Sequence, residues 1–254
     1  MAKPQAESAG FEFKVSKGAE SFAWTSHKVE QLMLAIDEGY KPKSTPFYEG
    51  NPNLRKGNIV FNYTDEEIRE IKKCAKDIVY FANTYCTVMT DEGLQTINLR
   101  PYQENMLRQF QAERFNICLA SRQVGKTICS SIFIAWYSLF NFDKNAMIMA
   151  NKGATTKEIL MKAKHIYENL PFFLKPGIKT WNQKSLTFEN GCRIKTSARS
   201  KTPAIGFTID VLYLDEFAHI PSNIIEPYYT AAFPTVSAVQ NSKIIITSTP
   251  NGMN

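Results

Sequence analysis

The sequence predicts an α/β fold, a mostly parallel β-sheet flanked by helices and preceded by an irregular N-terminal segment. Short runs at 115–120, 146–150, 211–214 and 243–247 are apolar almost throughout rather than alternating. That is the pattern of strands buried on both faces. Segments of helical period alternate with these runs and supply the crossovers that parallel strands need. With 254 residues, 44% hydrophobic and 21% charged, the chain is large enough to bury the core of one sizeable domain.

Residues 1–60 hold Pro4, Pro42, Pro46 and Pro52 and read as irregular, with one helix at 26–38. Thr64-Asp65-Glu66-Glu67 then pairs a capping threonine with a glutamate three residues on, which opens a helix. Ile68, Ile71, Ala75, Ile78, Val79 and Ala82 recur behind it at helical spacing, so one continuous helix packs a single face. Residues 80–85 continue or end it. Pro101 suits a first helical turn, and a helix from there to about Phe110 leads into the 115–120 strand. A helix at 128–140, a strand at 146–150 and a helix at 155–170, stopped by Pro171, come next. Asn190-Gly191 between 186–188 and 193–195 marks a β-hairpin. The strands at 211–214 and 243–247 complete the α/β unit. The domain boundary falls between 60 and 61: an irregular or helical segment 1–60, then 61–254.

Between the 115–120 strand and the following helix lies Ala120-Ser121-Arg122-Gln123-Val124-Gly125-Lys126-Thr127. A strand, a tight loop ending in Gly-Lys-Thr and a helix form the arrangement that holds nucleotide phosphates. Loop amides and the helix N-terminus face the anion, Lys126 reaches the outer phosphates, and the Thr127 hydroxyl binds Mg²⁺. The full pattern asks for a glycine five residues before Gly125, where this chain has Ala120. Arg122 is either a guanidinium held against the γ-phosphate, stabilising charge in the transition state, or a surface side chain in solvent.

Asp215 and Glu216 end the apolar strand at 211–214, and ligands in open α/β sheets bind where such strands deliver their last residues. There Asp215 can accept a water of the Mg²⁺ shell, and Glu216 can polarise the water that attacks the γ-phosphate. Read alone, the pair equally describes two solvated acids capping a strand. Thr247-Ser248-Thr249 bring three hydroxyls to the end of another strand. They either hydrogen-bond the attacking water or γ-phosphate, or lead into the turn Pro250-Asn251-Gly252. Tyr102-Gln103, one helix upstream of the loop, offers a ring to stack on a base and an amide that pairs with adenine. The ligands these groups ask for are a nucleoside triphosphate and Mg²⁺, which the resemblance described below narrows to ATP.

Net charge of +6 and a pI of about 8.9 permit a polyanionic partner without requiring one. The densest basic group is Arg193, Lys195, Arg199 and Lys201, either a solvated loop or a DNA contact. Five cysteines without C-x-x-C spacing read as free thiols in a reducing compartment, and three isolated histidines make no metal set with them. No signal peptide opens the chain, and its longest apolar stretch, 128–140, is too short to cross a bilayer. The chain reads as soluble and intracellular.

In this order, the pieces resemble the ATPase domain of the large terminase subunit, the DNA-packaging motor of tailed bacteriophages, and most closely its contractile-tailed branch. The resemblance runs from about Thr64 to Asn254. It rests on Leu99-Arg100-Pro101-Tyr102-Gln103, Ser121-Arg122-Gln123-Val124-Gly125-Lys126-Thr127, Leu212-Tyr213-Leu214-Asp215-Glu216 and Ile246-Thr247-Ser248-Thr249-Pro250-Asn251-Gly252. A Ser-Arg-Gln loop lacking the first glycine is characteristic of that family. The resemblance implies a P-loop NTPase fold with an additional strand between the loop strand and the Asp215 strand. It implies Tyr102, Gln103 and residues 121–127 as the ATP site, with Gln103 reading adenine and Thr127 and Asp215 at the metal. Lys126, cis-acting Arg122 and Glu216 become catalytic, and Thr247, Ser248 and Thr249 couple hydrolysis to movement. It further implies double-stranded DNA, a portal protein, the small terminase subunit and a homo-oligomeric ring as partners, in the host cytoplasm and transiently on the procapsid, with no membrane.

Two departures bear on that expectation. Many members carry Arg-Gly before the acidic strand for a trans-acting arginine, where this chain has Ala204-Ile205-Gly206, leaving Arg199 as a substitute by proximity only. The family also continues into a closing segment and a nuclease domain, so from 254 residues we expect no nuclease activity and a truncated or split gene product, or an incomplete open reading frame. Two rivals share the motifs: a DExx-type helicase ATPase, which needs a second motor lobe, and a non-catalytic fragment that binds nucleotide or docks to the portal.

Overall fold

The computed structural model describes residues 23–90, 93–150, 152–198, 208–220, 236 and 241–251. Helix α1 (Ser26–Asp37) is capped by the Thr25 hydroxyl, which accepts from the Lys28 amide at 3.2 Å. Strands β1 (Phe47–Tyr48) and β2 (Asn51–Arg55) then pair as an antiparallel hairpin inside the segment expected to be irregular. A two-residue strand and a proline within its partner leave too little periodicity to read.

Helices α2 (Asp65–Lys76) and α3 (Ile78–Tyr85) replace the single long helix expected here. The capping box is present: Glu67 N donates to Thr64 Oγ1 at 3.2 Å, and Thr64 N donates to Glu67 Oε2 at 2.8 Å. The break falls at Asp77, whose carboxylate accepts from the amides of Val79 (2.9 Å) and Tyr80 (3.1 Å). A short polar side chain that can bond its own backbone caps a new helix instead of continuing the old one. A second unforeseen hairpin, β3 (Thr87–Thr90) and β4 (Gly93–Thr96), precedes α4 (Pro101–Ala112). There follow β5 (Phe115–Leu119), α5 (Lys126–Leu139), β6 (Asn145–Ala150) and α6 (Gly153–Glu168). The remaining strands are β7 (Ile178–Trp181), β8 (Ser185–Phe188), β9 (Arg193–Ala198), β10 (Val211–Asp215) and β11 (Lys243–Ser248).

Seven strands form the main sheet in the order β5-β11-β10-β6-β9-β8-β7. The first five are mutually parallel, and the β8–β9 hairpin at Asn190-Gly191 turns the far edge antiparallel. Strand β11 is the additional strand, lying between loop strand β5 and acid strand β10. The register aligns Cys118 with Thr247, Thr247 with Asp215, and Asp215 with Ala150, so four strands end at one level.

Period-two alternation divides the core. Ile148, Val211, Tyr213 and Ile245 face the larger cluster, where α5 is buried from Cys129 to Leu139. Met147, Met149, Leu212, Leu214 and Ile244 face a smaller cluster on the other side. Strand β5 departs from the expectation of strands covered on both faces. Phe115, Ile117 and Leu119 are 52%, 81% and 63% exposed, because β5 lies at an edge and pairs only with β11 among the described strands. No helix among the described residues is long and apolar enough to cross a membrane.

Candidate nucleotide site

The residues after β5 turn sharply before α5 begins. Gln123 (φ 64°) and Gly125 (φ 85°) adopt left-handed backbone, and Gly125 is the N-cap of α5. Only glycine meets the second requirement without cost, and the space enforces it: a Cβ on Gly125 would lie 2.4 Å from Gln103 Nε2. Lys126, 7% exposed, folds its ammonium onto the loop, donating to Ala120 O at 2.9 Å and Ser121 O at 2.8 Å. Those two carbonyls hold the charge of an otherwise buried lysine.

A cavity of about 780 Å³ opens above this loop. Arg122, Gln123, Gly125, Lys126 and Thr127 line one wall, and Glu216 and His219 stand in the other. Lys152 and Thr155 at the start of α6, and Lys162 from its middle, add cationic and hydroxyl groups that sequence reasoning missed. Arg122 is exposed and lines the cavity at once, and Ser121 is exposed beside it.

A second cavity, about 890 Å³, adjoins the first and shares Gln123, Gly125, Ile128 and Lys162 with it. Tyr102 and Gln103 open it from α4, Met89 from the β3–β4 hairpin, and Met161 from α6. Gln103 ties this cavity to the loop. Its Nε2 donates to Val124 O at 3.1 Å, while its Oε1 accepts from Arg100 N at 3.0 Å. One amide proton and one carbonyl lone pair remain for a base.

The two acids are held differently at the sheet end: Glu216 lines the cavity, whereas Asp215 is not among its lining residues. Asp215 is buried, and its Oδ1 accepts from the Tyr213 hydroxyl at 3.0 Å and the Thr247 hydroxyl at 2.8 Å. Burial first, then the Asp215 charge, push the Tyr213 phenol well above its ordinary range, so it stays a proton donor. Glu216 sits in left-handed backbone, φ 49° and ψ 47°, and turns back toward the cavity. Its Oε2 accepts from Thr249 N at 3.0 Å and Thr249 Oγ1 at 2.8 Å. Burial alone would raise this carboxyl, but the two Thr249 donors, Lys126 and His219 outweigh it and hold Glu216 below its ordinary value. It is therefore a carboxylate at neutral pH.

Thr247, Ser248 and Thr249 are buried and none of them lines the cavity; Thr247 bonds Asp215 and Thr249 bonds Glu216. Ser248 Oγ accepts from Ala218 N at 3.1 Å and donates to Thr249 O at 3.0 Å. Tyr213 was legible in principle, since it precedes Asp215 by two residues on one strand and so shares its face. His219 carried no signal beyond standing three residues after Glu216. Arg193 is exposed on β9 and Lys195 half-buried, whereas Arg199, Lys201 and Ala204-Ile205-Gly206 lie outside the described residues, as does Gly252.

All five cysteines are free, and burial raises their thiols, to about 12 at Cys74 and Cys129. No cluster of His, Cys, Asp or Glu with metal-ligand spacing occurs among the described residues.

Residues 117–254 match the family model described as terminase large subunit, T4likevirus-type, N-terminal. The HK97 bacteriophage large terminase shares the fold, with a TM-score of 0.59 and 14% identity over 68% of this chain and 37% of that one. The Thermus phage P74-26 large terminase ATPase domain gives 0.48 at 21% identity, covering 62% and 67% of the two chains. A large terminase from a thermophilic bacteriophage, in complex with ADP, gives 0.46 at 17% identity, covering 59% and 39%.

Proposed function

The chain belongs to the N-terminal family of T4-type terminase large subunits, and on that premise we propose that it is an ATP-hydrolysing module driving double-stranded DNA into a procapsid. One observation carries the reading: Lys126 and Thr127 from the loop and Glu216 from the acid strand face one cavity of phosphate-binding size. The triphosphate lies over the loop amides and the start of α5, where backbone N–H groups and the helix dipole favour an anion. Lys126 exchanges the carbonyls of Ala120 and Ser121 for outer phosphate oxygens, and Arg122 closes over the γ-phosphate from the rim. Glu216, ionised and aimed into the cavity, orients and deprotonates the attacking water.

The base enters the adjoining cavity, with Tyr102 at its mouth and the spare hydrogen-bonding capacity of Gln103 within it. The donor set fits a hard cation, since Thr127 supplies a hydroxyl and Asp215 a carboxylate already oriented by two hydroxyl donors. Those two residues would hold Mg²⁺, which supplies charge neutralisation at the phosphates when bound. Thr247 bonds Asp215 and Thr249 bonds Glu216, so the coupling segment senses the nucleotide through the acids. We further propose a homo-oligomeric ring in the host cytoplasm that docks transiently on a portal protein and cooperates with a small terminase subunit. The family assignment leaves the helicase alternative without support.

The test is ATP hydrolysis by the purified chain with and without double-stranded DNA, beside Glu216→Gln. The variant should bind nucleotide as the wild type does and lose turnover by roughly 10²–10⁴-fold. Turnover at the wild-type rate would remove Glu216 from its assigned role. No turnover by the wild type would favour the non-catalytic fragment instead.

A further inference from the structure

The turn after β10 carries a histidine with no place in the chemistry above. His219 Nε2 lies 2.8 Å from Thr249 Oγ1 and 3.5 Å from Glu216 Oε2. Proton counting fixes the directions of these bonds. The Thr249 hydroxyl has one proton, and the ionised Glu216 carboxylate, 2.8 Å away, can only accept it. The Thr249 oxygen must then accept from His219, so Nε2 carries the proton. The result is a one-way chain, from His219 Nε2–H to the Thr249 hydroxyl to Glu216 Oε2, with the Thr249 amide as a second donor to the same oxygen.

Without a donor on its far side, that hydroxyl is free to rotate and to leave Glu216 held by a single backbone bond. Glu216 lies in left-handed backbone, so a carboxylate on this turn gains little orientation from regular secondary structure. We propose that His219 is a positioning residue: its Nε2–H fixes the Thr249 hydroxyl as a donor to Glu216 and so aims the carboxylate at the cavity. The inference rests on the ATPase reading for its kinetic consequence, but the hydrogen-bond chain itself does not.

The experiment uses the full chain and three variants, His219→Phe, His219→Gln and Thr249→Val. Steady-state hydrolysis of Mg²⁺-ATP gives kcat and KM, and imidazole ¹⁵N–¹H spectra follow the Nε2 proton. Loss of one orienting hydrogen bond is expected to lower kcat about tenfold in His219→Phe while KM stays within about twofold. Glutamine places an amide donor near the position of Nε2, so His219→Gln should recover most of that loss. In the spectra, the wild type should show an Nε2 proton protected from exchange, and Thr249→Val should lose that protection. Wild-type kcat in His219→Phe, an equal loss in both His219 variants, or an Nε2 signal indifferent to Thr249→Val would each overturn the proposal. If the wild type does not turn over ATP, the ATPase reading falls. The spectra then decide the chain of bonds alone, lost protection in Thr249→Val supporting it and unchanged protection refuting it.

Discussion

Tyr213→Phe isolates one hydroxyl at the buried end of the acid strand. The ring keeps its place in the core, and only an oxygen and its proton are removed. Tyr213, Thr247 and Asp215 form a closed triangle, with the Tyr213 hydroxyl 3.0 Å from Asp215 Oδ1 and 2.8 Å from Thr247 Oγ1, and Thr247 donating to Asp215 at 2.8 Å. Two protons serve three oxygens and one negative charge. Removing the tyrosine proton leaves the carboxylate with the Thr247 donor alone of the pair. A hydrogen bond to a charged group contributes about 1.5–3 kcal/mol, and burial of these groups leaves no water to replace it. The expected loss is therefore about 2 kcal/mol. In a domain of this size, that lowers the thermal midpoint by roughly 4–8 °C. Circular dichroism melts of the wild type and variant measure it, and repeating them with Mg²⁺ and nucleotide should show a smaller ligand-induced rise in the variant. A midpoint within about 1 °C of wild type, with an unchanged ligand effect, would refute the claim that the tyrosine supports Asp215.

Gly125→Ala forces a side chain into left-handed backbone and against Gln103, at about 1–2 kcal/mol for the backbone and about 1 kcal/mol for the bond to Val124. Fluorescent-nucleotide titration should show weakened binding, and wild-type affinity would contradict the loop geometry. Lys175 gives a pH signature. It is 4% exposed, donates to Asn53 O and Glu168 O, and burial lowers it from its ordinary 10.5 to about 8. Between those values the unfolded chain holds the proton more tightly than the folded one, so this lysine makes stability rise with pH across that window. Below it the full cost, on the order of 3 kcal/mol, is present. Urea unfolding at pH 7 and pH 10 should show that rise in the wild type minus Lys175→Met difference, and a flat difference would exclude it.

What could be read in advance was local. Gly125-Lys126-Thr127 and Asp215-Glu216 each declare themselves within a few residues, because a phosphate loop and a strand-end acid pair are short-range designs. The parallel order, too, followed from apolar runs too short for helices. The hidden part lay in competition and in distance. Asp77 divides a helix whose apolar spacing runs straight through it, because a carboxylate bonding the next turn's amides outweighs continuity of pattern. Apolar residues on β5 read as buried and are exposed, since a composition of this kind cannot announce that its strand lies at an edge. His219 and Thr249 are separated by thirty residues and meet only because β11 lies beside β10.

Strand β11 is hydrogen-bonded on both sides, to β5 and to β10, over five paired positions each. Its amides alternate between the two ladders, so exposing all of them takes the opening of both, and that opening free energy approaches that of the whole domain. The strand that carries Thr247 and Ser248 therefore behaves as a fixed rail rather than a moving part. Adjustment to a bound nucleotide falls to what flanks it, the loop at 121–125 and the turn from Glu216 to His219, neither of which belongs to a ladder. On the proposed ATPase reading, any displacement at the phosphates would accordingly pass through those loops, and β11 is the reference against which it is measured.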